Sequence, residues 1–578
     1  MTTQKDLWYG TRGSRSADIV LVGEGWGKEE KRHSKAFVGG SGRELDTMLK
    51  ECGFAPEQCF FTNLYTDMPR AGTIESMFDP AAPKLWGLHP MPELKWGIEL
   101  VRQQIKAIKP KIVIALGSAA LWALTENAQF KKLPVKEGGH FVPGGIMNWR
   151  GSMLRSRVEF GSIPVLPILH PAFILRAWEW RQVTKHDLRT RIPQALANKW
   201  DGPLKEKIAT PEHGLACGWL RHWLDLCDNH SGVTLACDIE TKRRNITCIG
   251  FAPSSEMALC IPLVGLDNVR RLTSYWTVDQ ELELFHLIRR LIRHPKVRLI
   301  GQNFKYDMTY LSHWYAAPDI KCFHDTMLAQ HAMFPGTPKP LEMLASLYME
   351  YYVFWKNESQ EWHDKGEPEQ LYYYNCQDCL STFEIYEEQL AVLDVTLKWP
   401  QFNYLMDLNQ TCFNMEQRGI RVDFNTRRDM IINPKTGMSA QAVAREQWLL
   451  SLIPQSTIPT KSKVNWPQSD HQQKSLFYDQ LGLKPRKDRK TGSVSLNAEA
   501  IEELMRIYPE YTRIFETLLE LRSIGVLHSN ALSAQTEPNG RMQCTFSPGG
   551  TETYRLSSSK NPFGRGTNMQ NITKGDKG

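Results

Sequence analysis

The chain has 578 residues, a formal net charge of +7, 42% hydrophobic and 23% charged residues, the balance of an ordinary soluble protein. No uninterrupted apolar run is long enough to span a bilayer, and the opening Met-Thr-Thr-Gln-Lys-Asp-Leu-Trp lacks the apolar core of a signal peptide, so a membrane or secreted role is not expected. The length suggests three or four domains, the charge suits a nucleic-acid partner without demanding one, and twelve scattered cysteines point to a reducing cytoplasm.

Residues 1–205 read as one α/β unit. Residues 17–22 form an apolar strand ending in Gly23-Glu-Gly-Trp-Gly27, and residues 111–117 repeat the strand–glycine step before a helix over 119–124. Ligands in such folds sit beyond the carboxyl ends of the strands. The glycine loop lacks the lysine and serine of a nucleotide P-loop. Residues 66–96, rich in Pro and Met, read as an irregular surface insertion, and residues 177–210, mixing basic residues with Trp178, Trp180 and Trp200, as a helical linker or, alternatively, a DNA-facing surface.

This region resembles the uracil-DNA glycosylase superfamily, nearest its family-four type. Gly23-Glu-Gly-Trp-Gly-Lys-Glu-Glu30 and Ala36-Phe-Val-Gly39 stand where the family has Gly-Glu-Ala-Pro-Gly-x-x-Glu and Pro-Phe-Val-Gly. Gly40-Ser-Gly-Arg-Glu-Leu-Asp46, Phe60-Phe-Thr-Asn-Leu64 and His170-Pro-Ala-Phe-Ile-Leu-Arg176 continue the likeness. The resemblance implies an α/β/α fold and a pocket for a flipped base. There Phe37 would stack on uracil, Asn63 would read its edge, His170 would stabilise the departing anion, and Glu24 or Glu30 would position water. Trp26 replaces the motif proline, and the cysteines of the family's iron–sulfur cluster are not matched: residues 1–51 hold none, and Cys52 and Cys59 stand elsewhere. No cluster is expected, and whether the pocket cuts or only senses uracil stays open.

Residues 206–400 turn on Leu235-Ala-Cys-Asp-Ile-Glu-Thr241. An apolar strand over 233–237 runs into Asp238 and Glu240, whose i, i+2 spacing points both carboxylates to one side. Close carboxylates repel unless a cation lies between them, and hard oxygen ligands suit Mg²⁺ or Mn²⁺. Residues 299–307 read as a strand, a glycine break and a helix start with Asn303 and Asp307 on one helical face. Tyr374 and Asp378 share the same spacing on a later helix, and residues 281–292 show the apolar spacing of a packing helix. Cys376 and Cys379, without a second pair, read as incidental.

Asp-x-Glu, Asn-x-x-x-Asp and Tyr-x-x-x-Asp, in that order, with His324-Asp-Thr-Met327 between the last two, resemble the DEDD 3′–5′ exonucleases of A-family DNA polymerases. That resemblance implies an RNase H-like fold in which Asp238, Glu240, Asp307 and Asp378 hold two metal ions and Tyr374 orients the attacking water.

From about 401 the chain is mostly helical. A helix over 408–418 stops at Gly419 before a short strand, and a helix follows Asn497. Residues 465–483 and 490–506 resemble the thumb of A-family polymerases, with a basic cluster at 484–490 that suits phosphates and equally suits a solvated turn. Thr551-Glu-Thr-Tyr-Arg-Leu-Ser-Ser558 and Asn568-Met-Gln-Asn-Ile572 resemble the family's Thr-x-Thr-Gly-Arg-Leu-Ser-Ser and Asn-Leu-Gln-Asn-Ile, which implies that Arg555, Ser557 and Asn571 contact primer–template. Six Lys or Arg against Glu552 and Asp576 give residues 541–578 a charge of +4.

These readings converge on a DNA replication protein of bacteriophage type in three domains: 1–205, glycosylase-like; 206–400, exonuclease; and 401–578, the thumb side of a polymerase. Palm and fingers motifs follow this block in the family, so a second polypeptide carrying them is expected. The competing reading is a non-catalytic subunit that clamps primer–template for a separate catalytic chain.

Overall fold

The structure, a computed structural model, describes residues 6–134, 139–267, 270–357, 367–433, 437–452, 469–488 and 492–571. Two compact units divide the chain, Met1–Met406 and Asp407–Gly578. No helix among the described residues is long and apolar enough to cross a membrane.

The first unit holds two six-stranded sheets. In the first, Phe60–Tyr65, Ile19–Gly25, Ile112–Leu116 and Pro164–Ile168 run parallel, with Arg12–Gly13 and Leu154–Arg155 antiparallel at the edges. These strands are near-continuous apolar runs because both faces are covered. Alternation sends Ile19, Leu21, Ile112 and Ile114 to one face, against Leu45, Met48, Leu188 and Ile192 from helices Gly40–Glu51 and Arg181–Leu196. Val20, Val22, Val113 and Ala115 face Leu94, Ile98, Val101 and Trp122 from helices Pro92–Ile108 and Ser118–Leu124.

Two expectations fail here. Residues 177–210 are no linker: helix Arg181–Leu196 is part of this sandwich. Its buried polar residues disguise it, since Arg181 pairs with Glu44 and Glu51, and Arg150 with Asp187, so its inward face does not read as apolar. Residues 66–96 are irregular but not superficial, because Ile74, Met77, Phe78 and Leu88 join the core beside Trp122.

The second sheet runs His324–Asp325, Val297–Gly301, Val233–Lys242, Asn245–Ala252, Met257–Pro262, Glu206–Ile208. Val233–Lys242 lies at its centre, parallel to Val297–Gly301 and antiparallel to Asn245–Ala252, with a register shift between Glu240 and Thr241. The long helix Pro368–Thr396 lies across these strands and buries Tyr372, Cys376, Cys379 and Leu380 in the core.

In the second unit, Gly419 follows the last helical residue Arg418, and its φ of +61° lets the chain turn into Ile420–Arg421, paired with Arg541–Met542. Asn497 caps Ala498–Ile507 by accepting the Ala500 N–H at 2.9 Å. That helix and Thr512–Leu527 share a core of Leu449, Leu476, Phe477, Leu504, Phe515 and Leu518. Of the stretches read as thumb and primer–template block, residues 465–468, 489–491 and 572 lie outside the described residues.

Candidate active site and base-binding cavity

The strand Val233–Lys242 buries Leu235, Cys237 and Ile239 on one face and turns Asp238 and Glu240, beyond the buried Ala236, to the other. One turn apart on the helix Pro368–Thr396 stand Tyr374 and Asp378. Oxygens of Asp238, Glu240 and Asp378 all lie within 4.8 Å of one another. Burial, reinforced by the charge of Asp378, pushes the Asp238 carboxyl up to about 7, and burial with both aspartates raises Glu240 well above its usual range. Clustered hard oxygens that disfavour their own ionisation fit a divalent cation.

Asp307 lies outside this cluster, in the first turn of helix Lys305–Trp314, where its Oδ1 accepts the Ile239 N–H at 3.0 Å. Burial and Asp238 also raise its pKa well above the usual range. Asn303 does not share its helical face. It precedes the helix at φ +52°, a conformation Asn tolerates, and its N–H and that of Phe304 donate to Asp325 at 3.1 and 2.9 Å. Asp325 also accepts from Met327 and Leu328 N–H groups, so it fastens the loop and two helix starts together.

Two side chains without a sequence signal reach the same centre. Trp355 Nε1 donates to Asp378 Oδ1 at 2.6 Å. Lys356 Nζ donates to Asp378 Oδ2 and, at 2.7 Å, to Tyr374 Oη. Burial opposes the lysine's charge, but Asp378, Asp238 and Glu240 more than offset it and raise its pKa. Asn375 was also missed: its Nδ2 donates to Asp238 Oδ2 at 2.8 Å.

The first sheet carries a cavity of about 360 Å³ at the carboxyl ends of its strands, lined by Glu24, Trp26, Glu30, Phe37, Asn63 and His170 among others. Gly23 makes it possible, since a Cβ there would lie 2.5 Å from the Phe37 ring and 2.6 Å from Asn63 Nδ2. Asn63 Oδ1 is buried and has no hydrogen-bond partner among the described residues. The His170 ring lies 6.5 Å from that of Phe37. Burial lowers His170 to about 4, so the ring is neutral, and its Nδ1 accepts the Ala172 N–H at 3.2 Å, which puts its proton on Nε2.

Glu30 and Glu24 differ. Glu30 accepts the Gly39 N–H at 2.7 Å and the Gly27 N–H at 3.2 Å, one on each oxygen, so it braces the loop. Burial pushes Glu24 up to about 7, while the Ala119 N–H, at 3.1 Å from Oε1, works against that rise. Trp26 has a packing role: its ring fills the space a Cβ on Gly10 would occupy, and its backbone N–H donates to the Asp67 carbonyl.

Residues 11–196 match the uracil DNA glycosylase superfamily, and residues 220–393 match the 3′–5′ exonuclease family of DNA polymerases. The chain carries a glycosylase-superfamily domain and an A-family polymerase exonuclease domain. The exonuclease domain is one of nucleic-acid hydrolysis, and such domains work with divalent metals. The DNA polymerase of Bacillus phage SP01 is 21% identical over 95% of this chain, which in turn covers 62% of that relative's length. A type-4 uracil-DNA glycosylase of Thermotoga maritima is 26% identical over 30% of this chain and 77% of its own. Among solved structures, the polymerase domain of Pol1 from M. smegmatis, in complex with DNA primer-template and dNTP, is similar at 20% identity and a TM-score of 0.42, over 63% of this chain and 56% of that one. By its exonuclease-family match and its likeness to the phage enzyme the chain is related to DNA polymerases, with the glycosylase domain ahead of the exonuclease domain.

Beyond the exonuclease domain, residues 555–558 and 568–571 lie side by side: the Met569 N–H donates to Ser558 Oγ at 3.3 Å and Gln570 Nε2 to the Leu556 carbonyl at 2.7 Å. Arg555 and Asn571 are exposed and Ser557 half-buried. Tyr554 keeps a φ of +60° at the position where the polymerase motif has glycine.

Proposed function

We propose that this chain serves DNA replication as the proofreading and base-surveying part of an A-family polymerase. In this reading residues 206–400 remove mispaired 3′ nucleotides, residues 1–205 hold a flipped uracil, and residues 401–578 grip primer–template through Arg555, Ser557 and Asn571. The observation that carries it is the convergence of Asp238, Glu240 and Asp378 with Tyr374 one turn away.

Asp238, Glu240 and Asp378 would hold one divalent cation, and Asp307 would help hold a second. Mg²⁺ or Mn²⁺ there would acidify a water and neutralise charge on the phosphodiester. Tyr374 Oη orients that water for in-line attack, so that its oxygen joins phosphorus as the bond to the 3′ oxygen breaks. In the cavity, Phe37 offers a stacking face, Asn63 Oδ1 accepts N3–H of uracil and Nδ2 donates to O4, and the Nε2–H of neutral His170 donates to O2. Glu24, rather than Glu30 with both oxygens on backbone, is the carboxylate for water. The twelve cysteines, none of which forms a disulfide among the described residues, suit work in the cytoplasm. Nucleotidyl transfer would draw on palm carboxylates from outside the described residues.

The test is digestion of 3′-labelled single-stranded and mispaired DNA with Mg²⁺ or Mn²⁺. Wild type should shorten both from the 3′ end, and Asp238→Ala with Glu240→Ala should lose nearly all of the rate. A double variant as fast as wild type sinks the site. A wild type that binds primer–template but digests nothing makes the chain a clamp.

A further inference from the structure

The stretch 343–357 belongs to the exonuclease domain by chain order, yet the glycosylase domain holds it. Arg150, buried with Asp187 in a two-pronged pair at 2.9 and 2.6 Å, spends its remaining nitrogen on Ser346 Oγ at 3.1 Å. Arg191 donates to the carbonyls of Ser346, Met349 and Glu350 at 3.2, 3.1 and 2.5 Å. Further on, the Met153 N–H donates to the Tyr352 carbonyl and the Phe354 N–H to Ser152 Oγ, both at 3.1 Å. The rings of Trp149 and Phe354 meet edge to face at 5.2 Å, and Gln129 Nε2 donates to Asn357 Oδ1 at 2.5 Å. The end of helix Leu341–Tyr348 and the nonrepetitive, partly buried stretch after it must find partners for their backbone groups, and here side chains and backbone of the other domain supply them.

The next two side chains in this segment are the ones that enter the exonuclease centre. Trp355 and Lys356 engage one oxygen each of Asp378, and Lys356 also donates to Tyr374 Oη. Each carboxylate oxygen keeps a second lone pair for a metal, and a tyrosine oxygen that accepts from Lys356 must send its own proton elsewhere. The arrangement therefore fixes the rotamer of one ligand and the direction of one hydroxyl, which is what a hydrolytic centre needs of its supports.

We propose that the glycosylase domain has a second role, separate from reading bases: it braces residues 350–357 so that Lys356 and Trp355 act as positioning residues for Asp378 and Tyr374. This rests on the exonuclease reading above.

The experiment uses the full chain, with the single-turnover rate on 3′-labelled single-stranded DNA, KM, thermal midpoint and affinity for a uracil oligonucleotide measured together. Lys356→Met should lower the rate about tenfold or more with KM little changed, and Lys356→Arg should recover most of it. On the glycosylase side, Gln129→Ala and Ser152→Ala should each lower the rate several-fold while uracil binding stays at the wild-type value. Gln129 is only partly buried, so that variant should fold even if Ser152→Ala does not. Wild-type rates in Lys356→Met, equal losses in the Met and Arg variants, or wild-type rates in folded Gln129→Ala each overturn the proposal. If wild type itself digests nothing, the exonuclease reading is what has failed.

Discussion

Asn375 holds Asp238 at two points, its Nδ2 donating to the backbone carbonyl at 3.2 Å and to Oδ2 at 2.8 Å. One amide thus sets the register between the helix that carries Tyr374 and Asp378 and the strand that carries Asp238 and Glu240. The fit is close, since a Cβ on Gly250 would lie 2.3 Å from Asn375 Oδ1. Asn375→Ala should lower the exonuclease rate about tenfold or more and cost about 1–3 kcal/mol of stability, measured by chemical denaturation beside the digestion assay.

The same carboxylates set a pH dependence. Asp238 is raised to about 7 in the fold, so between its unfolded pKa near 4 and pH 7 the folded chain holds the proton more tightly. Its contribution therefore favours folding at low pH and is lost as pH rises through 7. Without metal the first unit should melt lower at pH 8 than at pH 6, and added Mg²⁺ or Mn²⁺ should raise the midpoint more at pH 8. Asp238→Asn with Glu240→Gln should flatten both trends, read by scanning fluorimetry with and without EDTA.

In the cavity, the unpartnered Asn63 Oδ1 and the neutral His170 make a separate prediction. Uracil-containing single strands should bind more tightly than thymine ones, whose methyl would crowd Phe37, and Asn63→Leu should erase most of the difference. Because His170 is depressed to about 4, its neutral form persists to that pH and its Nε2–H donor is present at pH 5.5 as at pH 8. Fluorescence anisotropy at the two pH values should give a preference for uracil at both.

Gly42 tests the cavity from behind. A Cβ there would lie 2.0 Å from the Phe37 carbonyl oxygen, and Phe37 already sits at φ +52°. Gly42→Ala should push Phe37 out of place and abolish the uracil preference, while the exonuclease rate, made some distance along the chain, stays within about twofold of wild type.

What sequence alone made legible follows from periodicity. Asp238 with Glu240 and Tyr374 with Asp378 sit at spacings that a strand and a helix convert directly into shared faces. The sandwich strands were legible as apolar runs bounded by glycine. Lys356 and Trp355 were not, because they stand on a nonrepetitive segment whose course is set by another domain's side chains. Asn303 was misplaced because a glycine break does not say where the next helix begins, and Asp325, which decides that, lies a strand away. Helix Arg181–Leu196 does not read as a packed helix because Arg181 and Asp187 are buried in ion pairs and Arg191 against backbone carbonyls, and a charged pattern looks the same whether its partners are water or protein.

The attachment of residues 343–357 to the first sheet has a consequence for lineages. Replacing Asn63 or His170 acts mainly on the cavity, whereas replacing Arg150, Asp187 or Arg191 leaves buried charges and carbonyls unmatched beneath the neighbouring domain. Descendants could let the cavity drift and still be unable to shed the domain around it. Among related chains, a glycosylase fold with a ruined pocket and an intact Arg150–Asp187 pair would be the trace of that history.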